Sequence, residues 1–206
     1  MSETLRSGVD MPADGRHRRR VENLEAVVNA TLDLISETGA LPTVAEVAER
    51  AGISQRSVFR YFDDVDQLTR AAVDTRYRQA TELISLPSPM PTALAERIEA
   101  VAASRCRLFE FIGPTARVTR TRLLDNPVLV ETIGRSRRAL REQLAAVFAP
   151  ELGASSGGAV ILAALDVICS FESWDLLVRD QGLTPDEATA VLKESMVKLL
   201  AGLRSR

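Results

Sequence analysis

Among 206 residues the chain has one histidine, two cysteines and only 4% aromatics, and each scarcity excludes something. His17 lies in a polar stretch near the N-terminus, so metal binding or acid–base work that needs an imidazole in a built site is not expected. Cys106 and Cys169 both sit in apolar stretches, far apart and without metal-like spacing. That argues against a disulfide framework or a zinc site, and for a reducing compartment. There is no Gly-rich phosphate loop and no spacing that would set a nucleophile beside a base, so neither an enzyme nor a cofactor is expected. The most apolar window, Gly157 to Ser170, is too short to span a bilayer and carries Asp166. With no apolar signal region near the N-terminus, the expectation is a cytoplasmic protein with no membrane partner.

What remains is rich in helix formers. Apolar residues make up 46% against 26% charged, which suffices for a core, and Ala, Leu, Arg and Glu recur throughout. The fold class expected is all-α. A formal net charge of −2 does not by itself suggest a nucleic-acid partner, so the distribution of basic residues has to decide.

Along the chain, Gly8, Pro12 and Gly15 precede Arg16-His17-Arg18-Arg19-Arg20, which reads as a flexible basic arm over residues 1–20. From Val21 to Thr38, Leu24, Val27, Val28, Thr31, Leu34 and Ile35 form one helical stripe that ends at Gly39. Thr43 and Glu46 have the spacing of a capping box and start a second helix, to about Ala51. Gly52 then permits a tight turn, Ser54 can cap a third helix, and Asp64 with Gln67 repeats the capping spacing before a fourth, to about Ile84. Pro87, Pro89 and Pro91 break the pattern. Further helices are expected at 92–111, 115–125, 127–149, 157–180 and 185–204, the last opened by Thr184-Pro-Asp-Glu187. That makes about nine helices in all.

Two short helices joined by a Gly-containing turn and braced by a preceding helix can project one helix into a DNA major groove, although the same periods fit a plain αα-hairpin. Side-chain chemistry favours DNA. Val58 and Phe62 share the inner face of the third helix, while Gln55, Arg56, Ser57, Phe59, Arg60 and Tyr61 offer groups for base edges and phosphates. The run Thr43-Val-Ala-Glu-Val-Ala-Glu-Arg-Ala-Gly-Ile-Ser-Gln-Arg-Ser-Val-Phe-Arg-Tyr-Phe62, followed by Asp64 and Leu68, resembles the TetR family of one-component regulators.

The resemblance implies a helix-turn-helix domain over 21–66 and a helical effector-binding and dimerisation domain over 67–206. It places Thr43, Ser54, Gln55, Arg56, Ser57, Phe59, Arg60 and Tyr61 at DNA-touching positions, with Ile53, Val58 and Phe62 holding the recognition helix. Two residues depart from the family pattern: Phe59 stands where Tyr is common, and Val65 where Lys is common. Phe59 can touch a thymine methyl but cannot donate to a phosphate, and the missing Lys lowers the expected salt dependence. Asp63, Asp64 and Asp66 add negative charge nearby. The basic arm either enters an adjacent minor groove or remains a solvated tail.

For the remainder, the resemblance implies a homodimer through the last two helices. The amphipathic positions Ala188, Val191, Leu192, Ser195, Met196, Leu199 and Leu203, and the apolar Val160, Ile161, Leu165, Ile168 and Phe171, fit that role. It also implies a cavity for a small apolar or amphipathic effector, with Cys106, Phe109, Arg120, Thr121 and Trp174 as candidate lining. The expected partner is double-stranded DNA carrying an inverted repeat, and the expected action is repression relieved by an unidentified effector. The alternative is a helical interaction module whose helix-turn-helix has degenerated.

Overall fold

The computed structural model describes residues 12–121, 127–153 and 157–201, and every regular element in them is helical. Ten α-helices occur among the described residues: α1 Pro12–Thr38, α2 Val44–Arg50, α3 Gln55–Tyr61, α4 Val65–Gln79, α5 Leu94–Arg120, α6 Pro127–Val147, α7 Ala149–Gly153, α8 Gly158–Ile168, α9 Phe171–Asp175 and α10 Pro185–Ala201. A 3-10 turn, Ala80–Ile84, continues α4, and a π-helical turn, Leu176–Asp180, continues α9. None of these helices is long and apolar enough to cross a membrane.

The chain divides between Ala72 and Val73 into two compact units. The division falls within α4, later than the boundary expected at residue 66. Leu68 and Ala72 of its first half are buried with Val27, Val47, Val58 and Phe62 in the N-terminal core. Tyr77 of its second half packs against the C-terminal core around Phe109, Leu165, Leu192 and Met196.

Local chemistry accounts for the N-terminal unit. Gly39 and Gly52, at φ +68° and +67°, take the left-handed backbone that ends α1 and turns the chain after α2. Thr43 and Glu46 close a reciprocal capping box: the Thr43 N–H donates to Glu46 Oε2 at 2.7 Å and the Glu46 N–H to Thr43 Oγ1 at 3.3 Å. The Gln67 N–H donates to Asp64 Oδ1 at 2.6 Å, while Gln67 reaches one residue further back, to the Asp63 N–H.

Three expectations need correction. The first helix starts at Pro12 rather than Val21, so Arg16–Arg20 are helical and not part of an arm; residues 1–11 lie outside the described residues. Proline in the first helical turn forfeits no needed N–H, and one interior glycine costs only about 1 kcal/mol. Second, the helices expected at 92–111 and 115–125 are one, with Pro114 inside it. Phe109, Ile112, Ala116 and Thr119 are buried along one face across the proline, and their burial offsets its cost of about 3 kcal/mol. The carbonyl left without its donor belongs to exposed Glu110, where water can serve it.

Third, the helix expected over 157–180 breaks at Ser170. This residue has extended backbone and accepts the Ser173 N–H on its hydroxyl at 3.2 Å, starting a new helix. The apolar composition of the run hid this cap.

Candidate nucleic-acid interface and effector cavity

Helix α3 is anchored from one side. Val58 is 1% exposed and Phe62 5%, so Gln55, Arg56, Phe59 and Arg60 are left facing water. Ser54 is the N-cap, its hydroxyl accepting the Ser57 N–H at 3.2 Å and lying 3.0 Å from the Ser57 hydroxyl. Phe59 is 51% exposed, an aromatic ring with no core to fill. Thr43 also reaches the surface, but its hydroxyl is occupied: it donates to Glu46 Oε2 at 2.7 Å. The Thr43 N–H, and after it this hydroxyl, hold the Glu46 carboxyl below its ordinary range. At the far end of α2, Arg50 grips Glu37 of α1 with two bonds of 2.8 and 2.7 Å.

Tyr61 ends α3 in a cationic setting. Its hydroxyl accepts from Arg60 Nη2 and from Asn23 Nδ2, each at 3.1 Å, and the Arg60 guanidinium stands 5.1 Å from the ring centroid. Those bonds, Arg60's first, lower the phenol's pKa. Arg19 and Arg20 join Asn23, Arg60 and Tyr61 around a recess of about 330 Å³. The early start of α1 therefore sets two arginines beside the end of α3. No pattern in the sequence marks Asn23, a polar residue on the outer side of an amphipathic helix, as part of this cluster. The groups gathered here are guanidinium, hydroxyl and amide donors with an exposed ring, the chemistry that holds phosphates and reads base edges. Three carboxylates lie close in sequence: Asp64 caps α4 and stands 4.0 Å from Arg70, while Asp63 and Asp66 are exposed.

The C-terminal unit contains a cavity of about 380 Å³. Its walls are apolar, with Phe109 and Ile112 from α5, Leu140 and Leu144 from α6, and Phe171 from α9; Tyr77 of α4 also borders it. Charged groups border it as well. Arg120 Nε donates to Glu172 Oε1 at 2.8 Å, Arg137 contacts the same oxygen, and Asp166 pairs with Arg141 at 3.2 Å. Arg120 is further fixed by a 3.1 Å bond to the Ala116 carbonyl and by stacking 4.2 Å from the Phe171 ring centroid. Burial raises the Glu172 pKa, but Arg120 and then Arg137 outweigh it, leaving this carboxyl below its ordinary range. Burial raises the Tyr77 phenol, with Arg120 opposing.

Of the five residues expected to line a cavity, Phe109 and Arg120 border this one. Cys106 and Trp174 are instead part of the surrounding core, Trp174 lying 6.2 Å from Phe109 and 6.0 Å from Phe171 between ring centroids. The Thr121 hydroxyl donates back to the Val118 carbonyl at 2.7 Å, at the end of α5. The cavity has a different cysteine, Cys169, whose thiol burial pushes up to about 12. Among the described residues no group of His, Cys, Asp and Glu could hold a metal ion.

The sequence pattern of the tetR family of bacterial regulatory proteins matches residues 27–72, from the middle of α1 to the middle of α4. Over 77 residues the chain is 35% identical to an HTH-type transcriptional regulator of Mycobacterium tuberculosis, a match covering 35% of this chain and 32% of that relative. The chain thus spans about a third of the length of the curated relatives it matches. The crystal structure of a transcriptional regulator from Rhodococcus sp. Rha1 superposes with a TM-score of 0.70 over 87% of this chain and 96% of its own, at 22% identity. A TetR-like transcriptional regulator from the same Rhodococcus gives 0.59 over 89% and 96%, at 21% identity. At these identities the two structures speak for the fold.

Proposed function

Because residues 27–72 match the tetR family of bacterial regulatory proteins, we propose that this chain is a cytoplasmic, sequence-specific DNA-binding transcriptional regulator. In this reading a homodimer represses at an inverted-repeat operator and is released by a small amphipathic effector. The observation that carries it is the presentation of α3: Val58 and Phe62 are buried beneath a helix whose Gln55, Arg56, Phe59 and Arg60 all face water. In the docking geometry of a helix-turn-helix these side chains reach base edges, with Ser54, Ser57 and Tyr61 on flanking phosphates.

Dimerisation draws support from α8, whose Val160 and Val167 are 72% and 64% exposed with exposed Ala163 between them, and from Val191 and Val197 on α10. A two-fold dimer sets its recognition helices roughly 34–36 Å apart, one DNA turn, hence an inverted repeat. Release needs a coupling of only about 1–3 kcal/mol, a 5- to 150-fold loss of DNA affinity. Helix α4 is the natural carrier, since it contributes Leu68 to the N-terminal core and Tyr77 to the effector cavity.

Selection of bound duplexes from a random pool at fixed salt tests the reading. An inverted repeat should be enriched, and Arg56→Ala should lose about 1–3 kcal/mol of affinity for it. No enrichment even at low salt would refute the regulator. The exposed Asp63 and Asp66 and the non-donating Phe59 favour a second reading, a helical interaction module; in that case the Arg56→Ala, Tyr61→Ala double variant keeps all its interactions.

A further inference from the structure

Two arginines and two carboxylates line the effector cavity, but they are unevenly paired. Two guanidinium groups, from Arg120 and Arg137, share the one oxygen Glu172 Oε1, and Arg141 takes Asp166. A third component lies deeper: Arg105 of α5 is 0% exposed, and its hydrogen bonds go to neutral oxygens, Gln143 Oε1 at 2.8 Å and the Leu140 carbonyl at 3.1 Å. Its Nε has no hydrogen-bond partner, and no carboxylate among the described residues reaches salt-bridge distance of it. Among the described residues Arg120 and Arg137 line the cavity with Asp166 and Glu172, while Arg105 and Arg141 stand outside the lining, Arg141 paired with Asp166. Low dielectric strengthens what Arg120 and Arg137, with one oxygen between them, gain from a fuller anionic partner.

The residues differ in how firmly they are held. Arg120 is pinned by the Ala116 carbonyl and the Phe171 ring, whereas the Glu172 side chain is 47% exposed and can turn to water. Glu172 thus occupies, from within the chain, a position that an external carboxylate can take.

We propose that the cavity binds an amphipathic organic carboxylate, its apolar body against Phe109, Ile112 and Leu144 and its carboxylate replacing Glu172 between Arg120 and Arg137. Such a ligand satisfies both guanidinium groups bidentately while the displaced Glu172 is solvated. The cavity's apolar walls add affinity with each CH₂ of the ligand they bury. Tyr77, whose phenol feels both Arg120 and Arg137, brings α4 into the same site. This inference rests on the effector reading above.

Calorimetric titration of the full chain with octanoate, 1-octanol and octylamine tests it. Octanoate should bind tightest. Arg137→Gln, at a side chain 55% exposed and so harmless to folding, should weaken octanoate by about tenfold and leave octanol unmoved. Glu172→Gln should tighten octanoate, because the internal competitor is gone, and weaken octylamine. Failure of octanoate to bind, binding no tighter than octanol, or weaker octanoate binding by Glu172→Gln would each overturn the assignment. Operator binding without probe is measured separately: DNA bound but octanoate ignored refutes the carboxylate site alone, while octanoate bound without any operator refutes the regulator and leaves the site standing.

Discussion

Single residues in this protein separate into those whose role follows from side-chain type and those whose role depends on neighbours. Arg56 is exposed on α3, which is all that its proposed contact with a base edge requires. The cysteines behave differently from the usual reactive thiol, because their surroundings are apolar. Burial raises the Cys106 thiol and takes Cys169 from 9.0 to about 12. Both should therefore resist a thiol reagent such as DTNB at pH 8 in the folded protein and react at once in denaturant; rapid labelling of the native chain would contradict the burial. A thiol whose folded pKa lies above its unfolded one contributes stability that is complete below pH 9 and is lost as pH rises toward 12. The thermal midpoint should accordingly fall through that window, with Tyr77 adding in the same direction, and fall less in Cys169→Ala.

At the scale of elements, caps outrank composition. Thr43–Glu46 and Thr184–Glu187 were both legible as capping boxes, and both form, the second with bonds of 2.8 and 3.3 Å. Their glutamates are held below the ordinary range, so their contribution is present above it and disappears as pH falls through it. Ser170 carried the same kind of information inside Ile168-Cys-Ser-Phe-Glu-Ser173, and there an unbroken apolar run was the misleading signal. Removing that cap with Ser170→Ala should cost about 1 kcal/mol in urea unfolding, against a change near zero if the helix simply ran through. Pro114 errs in the opposite direction: a strong breaker by local rules, overridden because the helix on both sides of it has a core to fill.

For the whole molecule, the apolar positions Val160 and Val167 on α8 are left uncovered by the described residues. Glutamate at both Val160 and Val167 should yield a folded monomer with unchanged far-UV circular dichroism, read by sedimentation velocity, and should abolish tight operator binding. A variant that stays dimeric would move the interface elsewhere. α10 contributes less of its stripe to such a surface than its sequence suggests: Ala188, Leu192, Met196 and Leu200 are buried in the chain's own core, and Val191 and Val197 are exposed. Leu203 lies outside the described residues.

By itself the sequence determined the all-helical class, the starts of α2, α3 and α10, and the exposed chemistry of α3. These depend on neighbours three or four residues apart, and helical geometry brings such neighbours together whatever the rest of the chain does. Only the tertiary structure decided that Arg19, Arg20 and Asn23 gather at Tyr61, that Cys169 rather than Cys106 borders the cavity, and that Arg120 and Arg137 converge on Glu172. Those groups are brought together from different helices, up to 52 residues apart, by the packing of apolar faces elsewhere in the fold. Local spacing has no means of encoding which polar residues such packing makes neighbours.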